Sequence, residues 1–447
     1  MSSLVRSWMG LVSAAVAAAS GSPAAAEGFF GLGDLSGGAS TSRAWAISSD
    51  GSTIVGESVS ASGTQAFRWT QAGGMAGLGD LAGGESGSVA YGVSANGSVV
   101  VGSGRSTASG TGREAFRWTQ AGGMAGLGDF DGGRFDSVAF GVSGDGSVVA
   151  GSGSVAFEGV DSTNAAFRWT SAGGLSDITP LSAYGPGSPN RGAAYGVSAD
   201  GSVVVGRSTS PNPYEDARPG RWNADGGWSA YPGATSTDMS GQAMAVSGDG
   251  SVVVGSVNAP PMGLSHHAFR WEQGDGAGFL HDVPSDMPSP FGNTIANAVT
   301  LDGAIVVGTS NAAGMPLDLG QRPGLSTYTR AFVWDAVNGF RSLQEELIGF
   351  GLDLSGWILL EAQGISGDGT VLTGTGINPS GRFEAWVAML GGSTGGASPP
   401  GVVPEPSTLA MMLLGGGAIA LGRHRRRGIR RGSGPDPRFD PPGRPSV

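Results

Sequence analysis

AFRWTQAGGMAGLGDLAGG at residues 66–84 returns as AFRWTQAGGMAGLGDFDGG at 115–133, with seventeen of nineteen residues unchanged. A stretch rewritten 49 residues further on marks a repeat, and its period is the first thing to fix, because period selects architecture. Three motifs recur in constant order. The first is AYGVSADGSVVVG and its relatives, turning at Asp50-Gly51, Asn96-Gly97, Asp145-Gly146, Asp200-Gly201, Asp249-Gly250, Asp302-Gly303 and Asp368-Gly369. The second is AFRW, centred on Trp69, Trp118, Trp169, Trp222, Trp271, Trp334 and Trp386. The third is LGDL or a degraded form, read at 32–35, 78–81, 127–130, 175–178, 228–231, 280–283 and 343–347.

The turns advance 318 residues in six steps, a mean period of 53. Within a unit, AYGVS and SVVVG are β-branched or aromatic runs separated by Ala-Asp-Gly, where glycine supplies the positive φ of a tight hairpin. AFRWT and AGLGDL read as a second hairpin across Gln-Ala-Gly-Gly. Four short antiparallel strands per unit cannot bury both faces alone, so seven copies predict an all-β, seven-bladed β-propeller. A parallel β-solenoid, whose period is nearer 20 residues, ranks second.

The ends are complementary in phase. Gly31-Leu32-Gly33-Asp34-Leu35 is a fourth strand with no first three before it, and the last unit stops after its third, EAWVAML at 384–390. Residues 28–35 are therefore expected to complete the last blade and leave the ring without an open seam.

Composition agrees with this reading. The 447 residues include 84 glycines at fixed offsets between Val, Phe and Trp, as turn punctuation would be placed. There is no cysteine, so neither disulfides nor thiolate metal sites contribute, and all 25 basic residues are arginine. Setting aside nine arginines and three acidic residues at the two ends takes the net charge from −11 to −17, a surface that repels nucleic acid and anionic lipid.

Both ends read as addresses. Residues 1–26 carry one basic residue, an apolar run from Trp8 to Ala19, and Ala24 and Ala26 before Glu27, the layout of a secretory signal peptide for signal peptidase. The propeller is expected over 27–390, followed by a Gly/Ser/Pro linker at 391–402. After it come Val403-Pro404-Glu405-Pro406, about sixteen apolar residues, and a cluster of Arg423, Arg425, Arg426 and Arg427. Sixteen residues at ~1.5 Å rise give ~24 Å, a short transmembrane helix with its arginines on the cytoplasmic side. Residues 432–447 read as a disordered tail.

The segment 403–431 resembles the PEP-CTERM sorting signal of bacteria that make exopolysaccharide. That resemblance implies processing by exosortase after the Pro-Glu-Pro motif, and a path from inner-membrane anchoring to the cell surface or matrix. The repeats from 31 to 390 also resemble HAF-type extracellular repeats, whose His-Ala-Phe run stands intact as His267-Ala268-Phe269. This second resemblance implies an extracellular location and no particular activity.

The repeated residues are read as structure. Phe and Trp two apart share a strand face and are expected to pack between neighbouring sheets. The arginine between them (Arg68, Arg117, Arg168, Arg221, Arg270) faces the other way, where Asp80 and Asp129 are positioned to pair with it. Each Asp-Gly turn offers one carboxylate, too few for Ca²⁺, which takes six to eight oxygens. His266 and His267 point to opposite faces, and His281 and His424 stand apart, so no metal or cofactor site is expected. No nucleophile elbow, Walker loop or Ser/His/Asp cluster appears. The expected role is noncatalytic: binding or structural work in the envelope or exopolysaccharide matrix, with polysaccharide or another surface protein as partner. The competing reading is a glycoside hydrolase or lyase with carboxylates on distant blades.

Binding is expected where loops vary on a rigid scaffold. The second-to-third connections lengthen from nine residues between Gly56 and Ala66 to twenty-two between Gly308 and Ala331, and they share a face with the fourth-to-first connections. Tyr214, Trp228, Tyr231, Phe291 and Tyr328, which lie outside the repeat consensus, are the candidate contact residues.

Overall fold

The computed structural model describes residues 27–157, 160–179, 192–209, 217–230, 240–258, 266–272, 276–279, 293–310 and 329–391. Seven four-stranded antiparallel sheets follow one another as blades, and in the first six the strand order is the chain order. Blade one is Gly37–Ile47, Thr53–Ser60, Gly63–Thr70 and Gly74–Gly77. The seventh is Ile358–Ile365, Val371–Ile377 and Phe383–Met389, with Gly28–Gly31 as its outer strand.

That closing strand docks as the sequence phase requires. Gly28 pairs with Met389 and Gly31 with Trp386, while the Phe29 ring stacks 5.8 Å from Trp386 and meets Trp357 edge-on at 5.2 Å. The chain then leaves the sheet as an ordinary blade does. Leu32 N donates to Ala385 O, as Leu78 N donates to Ala66 O inside the ring. One boundary is corrected. The paired residues are 28–31, so LGDL is the segment that peels away from the outer strand and not the strand itself. Blade one shows the same division: Gly74–Gly77 is paired, and Leu78 begins the crossing to blade two.

The copies at 175–178 and 228–231 fall on outer strands as expected, and the copy at 343–347 does not. Trp228–Ala230 and Gly174–Asp177 are outer strands, paired opposite Trp222 and Trp169 respectively. Residues Leu343–Gly349 form a short α-helix whose N-cap Ser342 accepts from Glu345 N, and which buries Leu343 and Leu347. Leu-Gln-Glu-Glu-Leu is made of strong helix formers behind a serine cap, so local propensity overrides the repeat there.

The inner hairpin explains its own sequence. In blade one the Ser48 hydroxyl donates to Asp50, Ser52 N donates to Asp50 Oδ1 at 2.9 Å, and Thr53 N donates to Ser48 Oγ at 3.0 Å. Gly51 takes the φ of +71° that closes the turn. Asp145 and Asp249, served by the same donors in their own turns, are held down to about 2, first by the hydroxyls of Ser143 and Ser247.

Every inner strand also carries a β-bulge at one register position, from Ala44/Ala46 in blade one to Ala362/Gly364 in blade seven. The bulge brings the inner strand's backbone over the glycine of SVVVG. A Cβ on Gly102 would lie 1.9 Å from Val89 O and 2.8 Å from the Phe116 ring.

Between blades the core is built as expected. Phe67, Phe116, Phe167 and Phe332 are fully buried, and Phe116 and Trp118 of blade two pack with Val55, Ala66 and Leu81 of the blade before. Burying a large aromatic this way is worth a few kcal/mol, roughly 25 cal/mol for each Å² removed from water. Repetition around the ring makes this the main source of cohesion.

Three sets of polar contacts then fix each junction. The AFRW arginine reaches the next blade's turn: Arg68 Nε donates to Gly97 O, Arg117 Nε to Gly146 O and Arg270 Nε to Gly303 O. The expected pairing with Asp80 and Asp129 is thereby corrected. Both carboxylates are taken by backbone N–H groups of their own crossing segments. A buried serine fastens the crossing: Ala66 N donates to Ser88 Oγ, whose hydroxyl donates to Gly79 O, and Ser137 and Ser42 repeat the arrangement.

The third set is a hoop around the axis. Asp50 N donates to Ala95 O, and the pattern continues through Ala95, Gly144, Ala199, Gly248 and Leu301 until Gly367 N returns to Ser49 O, at 2.8–3.1 Å throughout. At this end of the axis a cavity of about 180 Å³ is lined by the last residues of the inner strands, from Ile47 to Ile365.

Among the described residues no helix is long and apolar enough to cross a membrane. The expected signal peptide, linker, sorting signal, transmembrane segment and tail lie outside the described residues.

Candidate ligand-binding face

Opposite the Asp-Gly turns lie the second-to-third connections and the fourth-to-first crossings. In blades one and three the former are not loops: the hairpin continues to Ser60–Gly63 and to Phe157–Val160. The expectation of a nine-residue loop after Gly56 is corrected accordingly. Thr, Ser and Gln in that stretch continue the ladder because their backbones meet in register, Ser58 opposite Gln65.

Of the predicted contact residues, Trp228 is described and is a packing residue. Its ring lies 4.4 Å from that of Trp222 and joins the cluster of Ala150, Ala194 and Val204 between blades. It occupies the outer-strand position that Met75 holds in blade one, which is why it left the consensus without leaving the core. Tyr214, Tyr231, Phe291 and Tyr328 lie outside the described residues.

Two features were missed by sequence reasoning. The first is set by the bulges, which re-aim one residue per inner strand. In blades one to four that residue is Trp45, Tyr91, Phe140 and Tyr195, and the rings follow one another at 5.8, 5.5 and 5.2 Å. Blades five to seven put Met244, Asn297 and Gln363 there instead, so the inner circle is aromatic across four blades and carries one thioether and two amides across the other three. Burial, aided by Glu57, raises the Tyr91 hydroxyl above its ordinary range; burial does the same for Tyr195, opposed by Arg207.

The second feature is a cleft of about 530 Å³ between blades two and three, within the size range of small-molecule sites. One wall is the blade-two connection with Arg105, Ser109, Thr111 and Arg113. The other is the crossing to blade three, with Arg134, Phe135 and Asp136, and behind it Ser154 and Asn164.

Both walls are braced from within. Ser106 and Ser109 exchange backbone-to-hydroxyl bonds at 3.0 and 3.1 Å, and Gly112 packs so closely that a Cβ would lie 1.9 Å from Phe135 O. Asp129 accepts from Phe130 N, Asp136 N and Ser154 N, and Gly132 bridges to Val155. Burial raises the Asp129 carboxyl above its usual range in spite of those three donors.

Arg113 forms a two-pronged pair with Asp136, Nε to Oδ1 at 2.9 Å and an NH2 bond to Oδ2 at 3.0 Å. Burial works against the Asp136 charge, but the Arg113 hydrogen bonds outweigh it and hold the carboxyl below the ordinary range. Arg105 pairs with Glu85 at 2.8 Å. Arg134 is exposed, with no hydrogen bond or ion pair among the described residues.

The sequence signal for the cleft was available but weak: Arg105, Arg113 and Arg134 are arginines outside the AFRW position, on connections of unequal length. No group of three or more His, Cys, Asp or Glu positioned for a metal ion occurs among the described residues.

Residues 402–427 match the PEP-CTERM protein-sorting motif. The chain thus carries the mark of proteins processed by exosortase and exported through the membrane toward the surface. No curated protein matches the chain. Solved structures with a similar course include prolyl endopeptidases, 9% identical over 78% of this chain and 50% of theirs, with a TM-score of 0.49. The β-propeller domain of the Trilobed protease from Pyrococcus furiosus is 11% identical over 68% of this chain and 81% of its own, TM-score 0.42. Kuenenia stuttgartiensis hydrazine synthase is 14% identical over 76% and 94%, TM-score 0.43.

Proposed function

We propose that this protein is an exported, noncatalytic propeller, delivered by a cleaved signal peptide ending at Ala26. It is held at the inner membrane by the segment after Val403-Pro404-Glu405-Pro406 and passed by exosortase to the envelope or exopolysaccharide matrix, where it binds polysaccharide or another surface protein. The PEP-CTERM motif at 402–427 carries this reading, because it couples export to surface sorting. The resemblance of the repeats to HAF-type extracellular repeats agrees with it. The braced ring is a rigid support of the kind that presents binding loops.

The test has two parts. The tagged chain should fractionate with the envelope and matrix, and recovery mainly from the cytoplasm would overturn the proposal. Incubated with the host's own exopolysaccharide, the full chain should co-sediment with polymer of unchanged length. Shortened polymer would replace this reading with that of a carbohydrate-active enzyme.

A further inference from the structure

We infer that the cleft between blades two and three is a binding site for a carboxylate-bearing sugar, that is, for uronic acid residues of an acidic extracellular polysaccharide. This rests on the binding role proposed above and names the ligand's chemistry.

The first argument is charge. The region between the two ends carries a net −17, yet the cleft brings three guanidinium groups together against one lining carboxylate, Asp136. An acidic protein gains nothing in solubility from gathering its cations in a concavity, whereas an anionic ligand gains a focused positive field. Guanidinium also matches carboxylate geometry with two parallel donors, as Arg113 already shows on Asp136.

The second argument is availability. Arg134 is unengaged by hydrogen bonds, and Arg105 and Arg113 are held by exposed ion pairs to Glu85 and Asp136, with side-chain exposure of 42% and 51% for the arginines. An exposed single-pronged pair such as Arg105–Glu85 is worth about 0–1 kcal/mol, so a ligand carboxylate can share or replace Glu85 at little cost, while the two-pronged Asp136 holds Arg113 in place with its remaining donors open to share.

The third argument is the remaining lining. The hydroxyl of exposed Thr111 and the amide of exposed Asn164 are suited to sugar hydroxyls, and half-buried Phe135 offers a ring to the apolar face of a sugar. The braced walls mean that little ordering is required on binding.

The test uses the full chain and labelled oligogalacturonate, with neutral dextran oligomers and inorganic phosphate as the other arms, read by fluorescence anisotropy. Oligogalacturonate should bind and dextran should not. Arg134→Glu should weaken binding by at least about tenfold. Arg382→Glu, the same charge change at an exposed position on the seventh blade, should leave it within about twofold, since a distant surface charge is screened. Equal weakening by the two variants would overturn the inference, because attraction would then be a property of net charge. Dextran binding as tightly as the acid, or phosphate competing at equal concentration of charge, would overturn it as well. If host exopolysaccharide co-sediments while oligogalacturonate fails to bind, the ligand is misassigned and the binding role stands. If oligogalacturonate binds while the chain stays in the cytoplasm, the role in the matrix fails instead.

Discussion

At the Asp-Gly end of the ring, the turns at Asp50 and Asp368, first and last in the chain, make the same three hydrogen bonds, one from a serine hydroxyl and two from backbone N–H groups. At the opposite end, blade one crosses from its second to its third strand with Ala61 and Ser62, while blade two spans the gap with an arginine-walled loop from 105 to 113. The difference follows from who depends on each residue. An Asp-Gly turn receives the preceding blade's AFRW arginine and donates into the hoop, so a change there disturbs two junctions. A residue such as Thr111 answers to its own loop alone and is free to serve a ligand.

Removing the closing strand would strain that contrast most. Deletion of residues 28–35 takes away the Phe29 contacts with Trp386 and Trp357 and opens the outer edge of the seventh blade at Phe383–Met389, and the single cooperative melting transition should be lost. An unchanged calorimetric profile would show that the ring stands without its clasp. Next in size, Phe116→Ala should cost about 3–5 kcal/mol in denaturant unfolding, because the fully buried ring fills the space between blades one and two. Ser137→Ala should cost about 1–3 kcal/mol, since it leaves Ala115 N and Gly128 O without their shared buried partner.

Acid gives a smaller, graded effect. Asp145 and Asp249 have folded values near 2, below the ordinary 3.8, so their contribution is complete above about pH 4 and is lost as pH falls through about 2. Melting temperature should decline over that window, and the double variant Asp145→Asn, Asp249→Asn should flatten the decline. Blade two already uses Asn96 in this role, its Oδ1 accepting from Ser94 and Ser98. Smallest of all, Thr111→Ala on the varied face should stay within about 0.5 kcal/mol of the parent in the same unfolding measurement.

Blade number and closure were legible because both follow from period and phase, which the Asp-Gly turns and the Trp residues mark in every copy. The outer strands were legible only in part, the copies at 175–178 and 228–231 falling on them while in blade one the motif begins the crossing. Gly74–Gly77 and Trp228–Ala230 share little except a place at the edge, where one neighbour is enough and many side chains fit. The serine-capped helix at Leu343–Gly349 passed for a worn repeat because its apolar letters kept the expected spacing. The cleft was hidden for another reason. Arg105, Arg113, Arg134 and Asn164 come from three segments with no common spacing, and only the curvature of the ring brings them together. The same holds for Trp45, Tyr91, Phe140 and Tyr195, which look like ordinary strand aromatics until a bulge at each one sets the rings tilted against one another.

The backbone hoop from Asp50 to Gly367 has a consequence for motion. A row of seven amides would fray from its ends, but a circle has none, and any opening must begin by breaking it between two intact neighbours. Deuterium should therefore enter the amides of Ala95, Gly144, Ala199, Gly248 and Leu301 late and nearly in unison, so that the centre of the disc behaves as one hub while its rim breathes blade by blade.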